Sequence, residues 1–362
     1  DGSGIVTIPN SELSGKAFEL SHTYTDSGVF TVIVTVIDDD GGTVSDSFQV
    51  TSNNLPPTAD AGIDQTVAEG SPVTLIATVT DPGASDTHTY LWSVAATNGQ
   101  VIAKGTAATF SFTPGDQGTY TVTLTVTDDD SAGAVDVVVI TATNVAPSVT
   151  LSGAGSVNEG SLYTLNIGVV SDPGNDTVTQ YRVNWGDGSA VELFTPTQLN
   201  LVNRTLTHTY IDGTVARTIS VDLVDEDGIH VNAGSKAITV QNVAAVLTGI
   251  YTDVTTVGEN GSVTLTGSFT DPGVQDSHSV KIVWGDGSPE EMVTLAPGVF
   301  EFIAMHQFLD DNPTGTTSDA YSISVRVNDA TLDSESISRN ITVINAVPTF
   351  GASLTLSAAT LT

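Results

Sequence analysis

The sequence contains no cysteine, which excludes disulfide bonds, thiolate metal sites and a cysteine nucleophile. An oxidising compartment would leave such a chain chemically unchanged. The absence of cysteine is therefore compatible with a location outside the cell or at the cell surface, which we expect for this protein.

Basic residues are scarce: nine Lys and Arg oppose 42 Asp and Glu, which gives a formal net charge of −33. A chain of this charge is repelled by nucleic acids and by anionic membrane surfaces, whereas it attracts cations. No apolar stretch approaches the roughly 20 residues that a membrane-spanning helix requires. We therefore expect neither nucleic-acid binding nor membrane insertion in this part of the protein.

Catalytic signatures are also missing, since the sequence has no G-x-S-x-G, H-E-x-x-H or G-x-x-x-x-G-K motif. Five of the six histidines recur at equivalent positions, His22, His208 and His306 at one and His88 and His278 at another. A catalytic group is normally unique within a chain. We therefore expect no enzymatic activity, and histidines that serve the fold rather than bind zinc.

Internal repeats organise the chain. An apolar strand ends at an asparagine before a proline in Asn54-Leu55-Pro56, Asn144-Val145-Ala146-Pro147 and Asn345-Ala346-Val347-Pro348, and Asn242-Val243-Ala244-Ala245 lacks only the proline. Between these markers come Glu-Gly-Ser, Asp-Pro-Gly, a second Asp, a Trp and an acidic turn, in that order. In the last complete segment the first motif is Glu259 followed by what we interpret as an inserted Asn260.

We predict five segments, and we expect the array to continue on both sides. They are the back part of a repeat at 1–54 (repeat 1), complete repeats at 55–144 (repeat 2), 145–242 (repeat 3) and 243–345 (repeat 4), and the start of a further repeat at 346–362.

Strand signals dominate within each repeat, because apolar residues alternate with Thr or Ser, as in Tyr120–Val126. About seven short strands with Gly, Pro or Asp turns indicate an immunoglobulin-like sandwich. The fold class we predict is all-β, a tandem array of seven-stranded sandwiches joined end to end. The sixth strand should bury one face against the Trp of the third strand, with these residues in the core: Tyr120, Val122, Leu124 and Val126 with Trp92; Ile219, Val221 and Leu223 with Trp185; Tyr321, Ile323, Val325 and Val327 with Trp284.

Several motifs together resemble PKD domains, the polycystic kidney disease repeats of extracellular proteins. They are Trp-Gly-Asp-Gly-Ser at Trp185 and Trp284, His-Thr-Tyr at His22 and His208, an Asp-x-Gly-x-aromatic corner at Asp26 and Asp116, and the acidic turns. Repeat 2 departs from the pattern, with Thr97-Asn98-Gly99 at the turn. The resemblance implies a seven-stranded β-sandwich that acts as a spacer or binding module in bacterial surface proteins and beside secreted hydrolases.

The acidic residues are predicted to gather at the junctions between repeats. In an antiparallel sandwich, the Asp-Pro-Gly loop and the acidic turn lie at the same end as the linker Asn, and the Glu before the second strand faces the next repeat. Oxygen ligands without His or Cys favour calcium over zinc. The candidate ligands form three sets: Asn54, Asp81, Asp86, Asp128 and Asp130; Glu69, Asn144, Asp172, Asp176, Asp225 and Asp227; and Glu159, Asn242, Asp271, Asp276 and Asp329.

The alternative is that these aspartates serve only as turn residues and caps, an interpretation that we prefer for Asp187 and Asp286. For the whole protein, one hypothesis is a structural or adhesive stalk or fibre whose sandwiches are rigidified by calcium. Its partners would be neighbouring repeats, and further copies of the chain in a filament or surface layer. The other hypothesis is a carbohydrate- or protein-binding spacer module of a secreted hydrolase, which should present a row of exposed aromatic residues.

Overall fold

The computed structural model describes residues 1–12, 17–213, 215–310, 314, 316–329 and 331–347. These residues form two compact units, Asp1–Pro147 with Ser171–Thr177, and Ser148–Val170 with Val178–Thr362. Residues 348–362, including Pro348 and most of the predicted start of a further repeat, lie outside the described residues. Among the described residues, no helix is both long and apolar enough to span a membrane.

Repeats 1 and 2 consist almost entirely of strands. Repeat 1 contains a short 3-10 helix, Asn10–Glu12, and an antiparallel pair, β1 (Gly28–Ile37) and β2 (Thr43–Ser52). The strands of repeat 2 are β3 (Thr58–Asp60), β4 (Gln65–Ala68), β5 (Val73–Ile76), β6 (Thr78–Thr80), β7 (His88–Ala96), β8 (Thr109–Phe112), β9 (Gly118–Asp128) and β10 (Gly133–Thr143).

Repeats 3 and 4 follow the same order with longer strands. Repeat 3 comprises β11 (Ser148–Ser152), β12 (Ser156–Asn158), β13 (Leu162–Ser171), β14 (Gln180–Asn184), β15 (Glu192–Phe194), helix α1 (Pro196–Leu201), β16 (Thr205–Thr209), β17 (Val215–Asp225) and β18 (Gly228–Gln241). Repeat 4 comprises β19 (Val246–Thr252), β20 (Thr256–Gly258), β21 (Gly261–Thr270), β22 (His278–Val283), β23 (Glu291–Leu295), β24 (Glu301–Phe308), β25 (Ser318–Asp329), β26 (Leu332–Asp333) and β27 (Ile337–Ile344).

Two packed sheets make each complete repeat a sandwich, and the predicted fold class is confirmed. In repeat 3 the sheets have the strand orders β11-β13-β16 and β12-β18-β17-β14-β15, and repeat 4 repeats this arrangement. The first strand divides into two segments, one in each sheet, and the second segment pairs in parallel with the last strand of the repeat. Counted as one strand, these segments leave the seven strands that the sequence predicts.

The sixth strand of each complete repeat lies at the centre of the larger sheet and buries the predicted face. All eleven predicted residues of β9, β17 and β25 are buried, and Trp92, Trp185 and Trp284 are at most 1% exposed. Trp92 lies opposite Leu124, and Val183 lies opposite the equivalent Val221. Trp92 therefore sits two residues earlier than Trp185 in the strand and keeps its ring on the same face.

The Trp-Gly-Asp-Gly-Ser turn is held together by its own aspartate. In repeat 3, Asp187 accepts a hydrogen bond from the backbone N–H of Ser189 (3.0 Å) and pairs with Nε2 of His208 (2.6 Å), and the His208 ring stacks on Trp185. Gly186 has a positive φ of 79° and lies against the backbone of Thr218, so a side chain has no room there. Repeat 4 builds the same turn with Asp286, His306 and Trp284.

Replacing Asp187 with Asn should destabilise repeat 3 in a pH-dependent way. Burial would raise the pKa of Asp187, but hydrogen bonds from Ser189 and His208 outweigh it and lower the pKa from 3.8 to about 2. A lowered carboxyl pKa stabilises the fold above the unfolded value and loses this effect as the pH falls through the folded one. We expect a stability difference of about 2 kcal/mol between parent and variant at pH 7, shrinking towards zero near pH 2. Urea unfolding at both pH values measures it, and an equal difference at both would contradict this role.

One interpretation of the sequence is wrong. Asn260 is not inserted after Glu259, because it stands where repeats 2 and 3 have Gly70 and Gly160. All three residues have φ between 61° and 71°, and each donates its backbone N–H to a carbonyl at the end of the fifth strand or in the loop that follows it. Asparagine tolerates this left-handed conformation better than other residues that have a side chain.

Candidate metal sites at the repeat junctions

The Glu-Gly-Ser and Asp-Pro-Gly motifs meet at the junctions between repeats. In the first unit, a Cβ on Gly70 would lie 2.7 Å from the carbonyl oxygen of Pro173, and in the second unit Gly160 abuts Pro272 in the same way. The glycine is required twice, by its positive φ and by the proline of the following repeat. The two motifs are therefore the two sides of one contact.

The glutamate of the same motif holds the linker. Oε1 of Glu69 accepts a hydrogen bond from the backbone N–H of Val145 (2.7 Å), and Oε1 of Glu159 accepts one from Val243 (2.7 Å). In repeat 4, Glu259 accepts from Ala346 (3.0 Å). Each glutamate thus fixes the residue that follows the linker asparagine, a role that the sequence analysis did not predict.

The junction between repeats 3 and 4 brings four predicted carboxylates together. Glu159, Asp271, Asp276 and Asp329 each contribute an oxygen to a group in which all ligand atoms lie within 4.8 Å of one another. Glu159 is 1% exposed and Asp329 is fully buried. Glu159 belongs to repeat 3 and the three aspartates belong to repeat 4, so the group spans the junction.

Several of these oxygens are buried without any hydrogen-bond donor. They are Oε2 of Glu159, Oδ2 of Asp276 and both carboxylate oxygens of Asp329. Burial and the neighbouring carboxylates raise the pKa of Asp276 and of Asp329 to about 6 and also raise that of Glu159. Two like charges about 5 Å apart repel by about 3 kcal/mol at an effective dielectric constant near 20, so the group calls for a compensating cation.

Two further residues complete this junction. Asn242 donates its side-chain N–H to the carbonyl oxygen of Asp329 (3.3 Å), which places the predicted linker asparagine beside the carboxylates. Asp271 accepts from the N–H of Gly273 (2.7 Å) and pairs with Nε2 of the buried His278 (2.9 Å). All five residues predicted for this junction therefore lie together.

The junction between repeats 1 and 2 has a similar group, formed by Asp81, Asp86 and Asp128. Asn54 donates its side-chain N–H to Oδ2 of Asp128 (2.8 Å), and His88 pairs with Asp81 (2.8 Å). The hydrogen bond from His88 lowers the pKa of Asp81, whereas burial, Asp81 and other nearby carboxylates raise that of Asp86. Neither carboxylate oxygen of Asp86 has a hydrogen-bond donor.

Asp130, the last predicted residue of this junction, belongs to a different group. Its carboxylate lies with those of Asp86 and Asp26, all three ligand atoms being within 4.8 Å of one another. Asp26 was interpreted from the sequence only as part of a corner before the sixth strand. Its recurrence as Asp116, Asp212 and Asp310, at the end of the repeat that also carries the glutamate, was the signal that could have identified it.

At the junction between repeats 2 and 3, Glu69, Asp172 and Asp176 form a group within the first unit. Oε2 of Glu69 and Oδ2 of Asp172 are buried without a hydrogen-bond donor, and Glu69 is 1% exposed. Asn144 precedes Val145, whose N–H binds Glu69. Asp225 and Asp227 belong to the second unit, where Asp225 pairs with His230, and their part in this junction stays a prediction.

Each acidic loop has a histidine partner. His88 pairs with Asp81, His230 with Asp225, and His278 with Asp271. The ring nitrogen orients one carboxylate and leaves the other oxygens of the group for a cation. The remaining donors are carboxylate oxygens, which suit a hard divalent cation such as calcium.

Comparison with known proteins gives one family match. Residues 61–142 match a family model that describes a PKD domain. None of the curated proteins matches the chain significantly.

Solved structures with a similar fold are distant in sequence. A tetra-tandem repeat from the extending region of a large adhesion protein is 16% identical over 87% of this chain and 82% of its own, with a TM-score of 0.42. The Bacteroides ovatus protein SGBP-B of a mixed-linkage glucan utilization locus, in complex with a heptasaccharide, is 15% identical over 82% and 71%, with a TM-score of 0.22. The FN1–FN3 domains of chicken CNTN1 are 12% identical over 80% and 99%, also with a TM-score of 0.22. Similarity at this level carries no functional argument.

Proposed function

Because residues 61–142 form a PKD domain and repeats 3 and 4 are sandwiches with the same motifs, we propose that the chain is a structural spacer of an extracellular or cell-surface protein. In this proposal the repeats form a stalk or adhesive fibre, and calcium holds successive repeats in a fixed arrangement. The role is mechanical rather than catalytic. The partners are neighbouring repeats and other copies of the chain.

The observation that carries the proposal is the carboxylate group between repeats 3 and 4. Glu159 and Asp329 are at most 1% exposed and present three oxygens without hydrogen-bond donors. A buried, uncompensated carboxylate costs several kcal/mol, whereas a bound divalent cation removes the cost and adds coordination. Without a cation the same charges would push the repeats apart.

The origin of the ligands explains how an ion would stiffen the joint. Glu159 is fixed by the linker N–H of Val243, and Asp271 is fixed by Gly273 and His278. An ion shared by Glu159 and Asp271 would tie the end of one sandwich to a loop of the next. Its release would leave the glycine–proline contact and the linker as the remaining connections at this joint.

The position of the aromatic residues favours the spacer over a sugar-binding module. All three tryptophans of the sequence are buried in the cores, at 0%, 0% and 1% exposure. Their rings pack against Phe110, His208 and His306 rather than forming a platform for a ligand.

Glu159→Gln tests the proposal, because it should change the melting temperature in opposite directions with and without calcium. In a chelator the variant should melt higher than the parent, since it removes one of the repelling buried charges and keeps an acceptor for Val243. In calcium the parent should gain about 1.4 kcal/mol per site at ten times the dissociation constant, and the variant should lose most of this gain. Calorimetry in calcium and in chelator measures both.

Asp253→Asn is the matched control, since Asp253 accepts a hydrogen bond from Thr264 (3.0 Å) and belongs to none of the acidic groups. Its effect should be the same in both conditions. A parent protein whose unfolding does not respond to calcium would overturn the calcium assignment, as would a Glu159→Gln effect of the same sign in both conditions.

A further inference from the structure

The junction between repeats 1 and 2 contains more acidic residues than one cation needs. Asp81, Asp86 and Asp128 form one group, and Asp26, Asp86 and Asp130 form another, so Asp86 belongs to both. Five carboxylates therefore meet around a single shared residue. One divalent cation would leave three of the five negative charges uncompensated, and two would leave one.

Asp86 is placed to bridge two ions. Each of its carboxylate oxygens exposes less than 1 Å² and has no hydrogen-bond donor. One oxygen takes part in the group with Asp81 and Asp128, and an oxygen also takes part in the group with Asp26 and Asp130. A bridging carboxylate uses one oxygen for each ion, which accounts for both unsatisfied atoms.

The spacing of the second group fits a calcium ion. Calcium–oxygen distances of about 2.4 Å allow two ligand oxygens to be at most about 4.8 Å apart. The oxygens of Asp26, Asp86 and Asp130 meet this limit pairwise. Water can complete the coordination, since Asp26 and Asp130 are exposed.

No basic side chain takes the place of the ion. The first 147 residues contain two lysines and no arginine, and no ion pair between either lysine and these aspartates is found in the described part of the chain. Ser27 donates its hydroxyl to Asp130 (2.5 Å) and its N–H to Asp26 (2.7 Å), which orients both carboxylates without neutralising them.

We propose that this junction binds two divalent cations, the second one held by Asp26, Asp86 and Asp130. The inference rests on the proposed calcium binding and extends it. The second ion takes Asp26 from repeat 1 and Asp86 and Asp130 from repeat 2, so it is a second tie across the same joint.

The junction between repeats 3 and 4 gives an internal contrast. The residue equivalent to Asp26 is Asp212, and its carboxylate lies within hydrogen-bonding reach of Asp276. There, however, Arg217 pairs with Asp212 (3.4 Å), and Thr331 stands where repeat 2 has Asp130. A guanidinium thus supplies the positive charge at this joint, and the second cation site is confined to the first junction.

Calcium stoichiometry of the full chain tests the inference. Equilibrium dialysis against saturating calcium in 0.1 M KCl, which screens non-specific binding to the acidic surface, counts the bound ions. Asp26→Asn and Asp130→Asn should each remove one ion from the parent count, and Asp86→Asn should remove two. Asp212→Asn, the matched control at the other junction, should remove none. Circular dichroism verifies that each variant is folded.

The outcomes separate the two proposals. A parent that binds no calcium overturns both. A parent that binds calcium with an unchanged count in Asp26→Asn overturns the second site and leaves the first. Loss of an ion in Asp212→Asn would also contradict the inference, because Arg217 would then not replace the cation.

Discussion

Replacing Trp284 with Ala is expected to lower the free energy of unfolding of repeat 4 by about 3–5 kcal/mol, which is a large part of the stability of a domain of this size. Trp284 is 1% exposed, stacks on His306 with ring centroids 4.6 Å apart, and donates its indole N–H to Glu291 (2.9 Å). The substitution leaves a cavity in the core and removes the partner of the Glu291 oxygen. Hydrogen exchange in increasing urea, followed in peptides from each repeat, measures the effect.

The loss should be confined to repeat 4. Its buried residues form a cluster separate from the clusters of repeats 2 and 3, so each complete repeat has its own core. Ile303→Ala on the exposed face of β24 is the control and should change stability by less than about 0.5 kcal/mol. A loss below about 1 kcal/mol in Trp284→Ala, or an equal loss of protection in repeats 2 and 3, would contradict this description of the array.

The sandwich could be predicted from the sequence because its main signals are local. Alternation of Thr with apolar residues assigns a face to every position of a strand, and Tyr120 to Val126 needs no distant information for this assignment. The turn at Asp187 is similarly local, because its glycines and its serine lie within three residues. Trp92 was placed correctly because a shift of two residues keeps the face of a strand.

The details that the sequence did not yield depend on contacts between distant residues. Asn260 resembled an insertion because the requirement at this position is a backbone conformation, which Gly and Asn share. Glu69 and Glu159 were assigned as ligands, but their bonds to the linker N–H groups become visible only once the linker is folded back. The corner residue Asp26 forms a normal turn motif, and its proximity to Asp86 and Asp130 follows from how repeat 2 packs on repeat 1.

The acidic groups at the junctions lie between these cases. Topology alone placed Asp271, Asp276 and Asp329 at one end of a repeat and Glu159 at the facing end, and the structure brings their oxygens within 4.8 Å. What topology could not supply was which oxygens already have donors. His278 and Gly273 satisfy Asp271, whereas both oxygens of Asp329 have none, and this difference identifies the oxygens available to a cation.

The proposal that calcium fixes one repeat against the next can be tested by a distance measurement across one joint. The chain has no cysteine, so Val169→Cys with Ile303→Cys places two spin labels on exposed positions of repeats 3 and 4 and nowhere else. Val169→Cys with Leu193→Cys, both in repeat 3, is the control pair. Double electron–electron resonance then gives the distribution of distances in calcium and in chelator.

We expect a narrow distribution for the pair across the joint in calcium and a much broader one in chelator, because the uncompensated carboxylates of Glu159, Asp276 and Asp329 repel. Adding Glu159→Gln should keep the distribution broad even in calcium. The control pair should stay narrow throughout. A distribution across the joint that is equally narrow, or equally broad, with and without calcium would contradict the proposal and leave the acidic loops as turns.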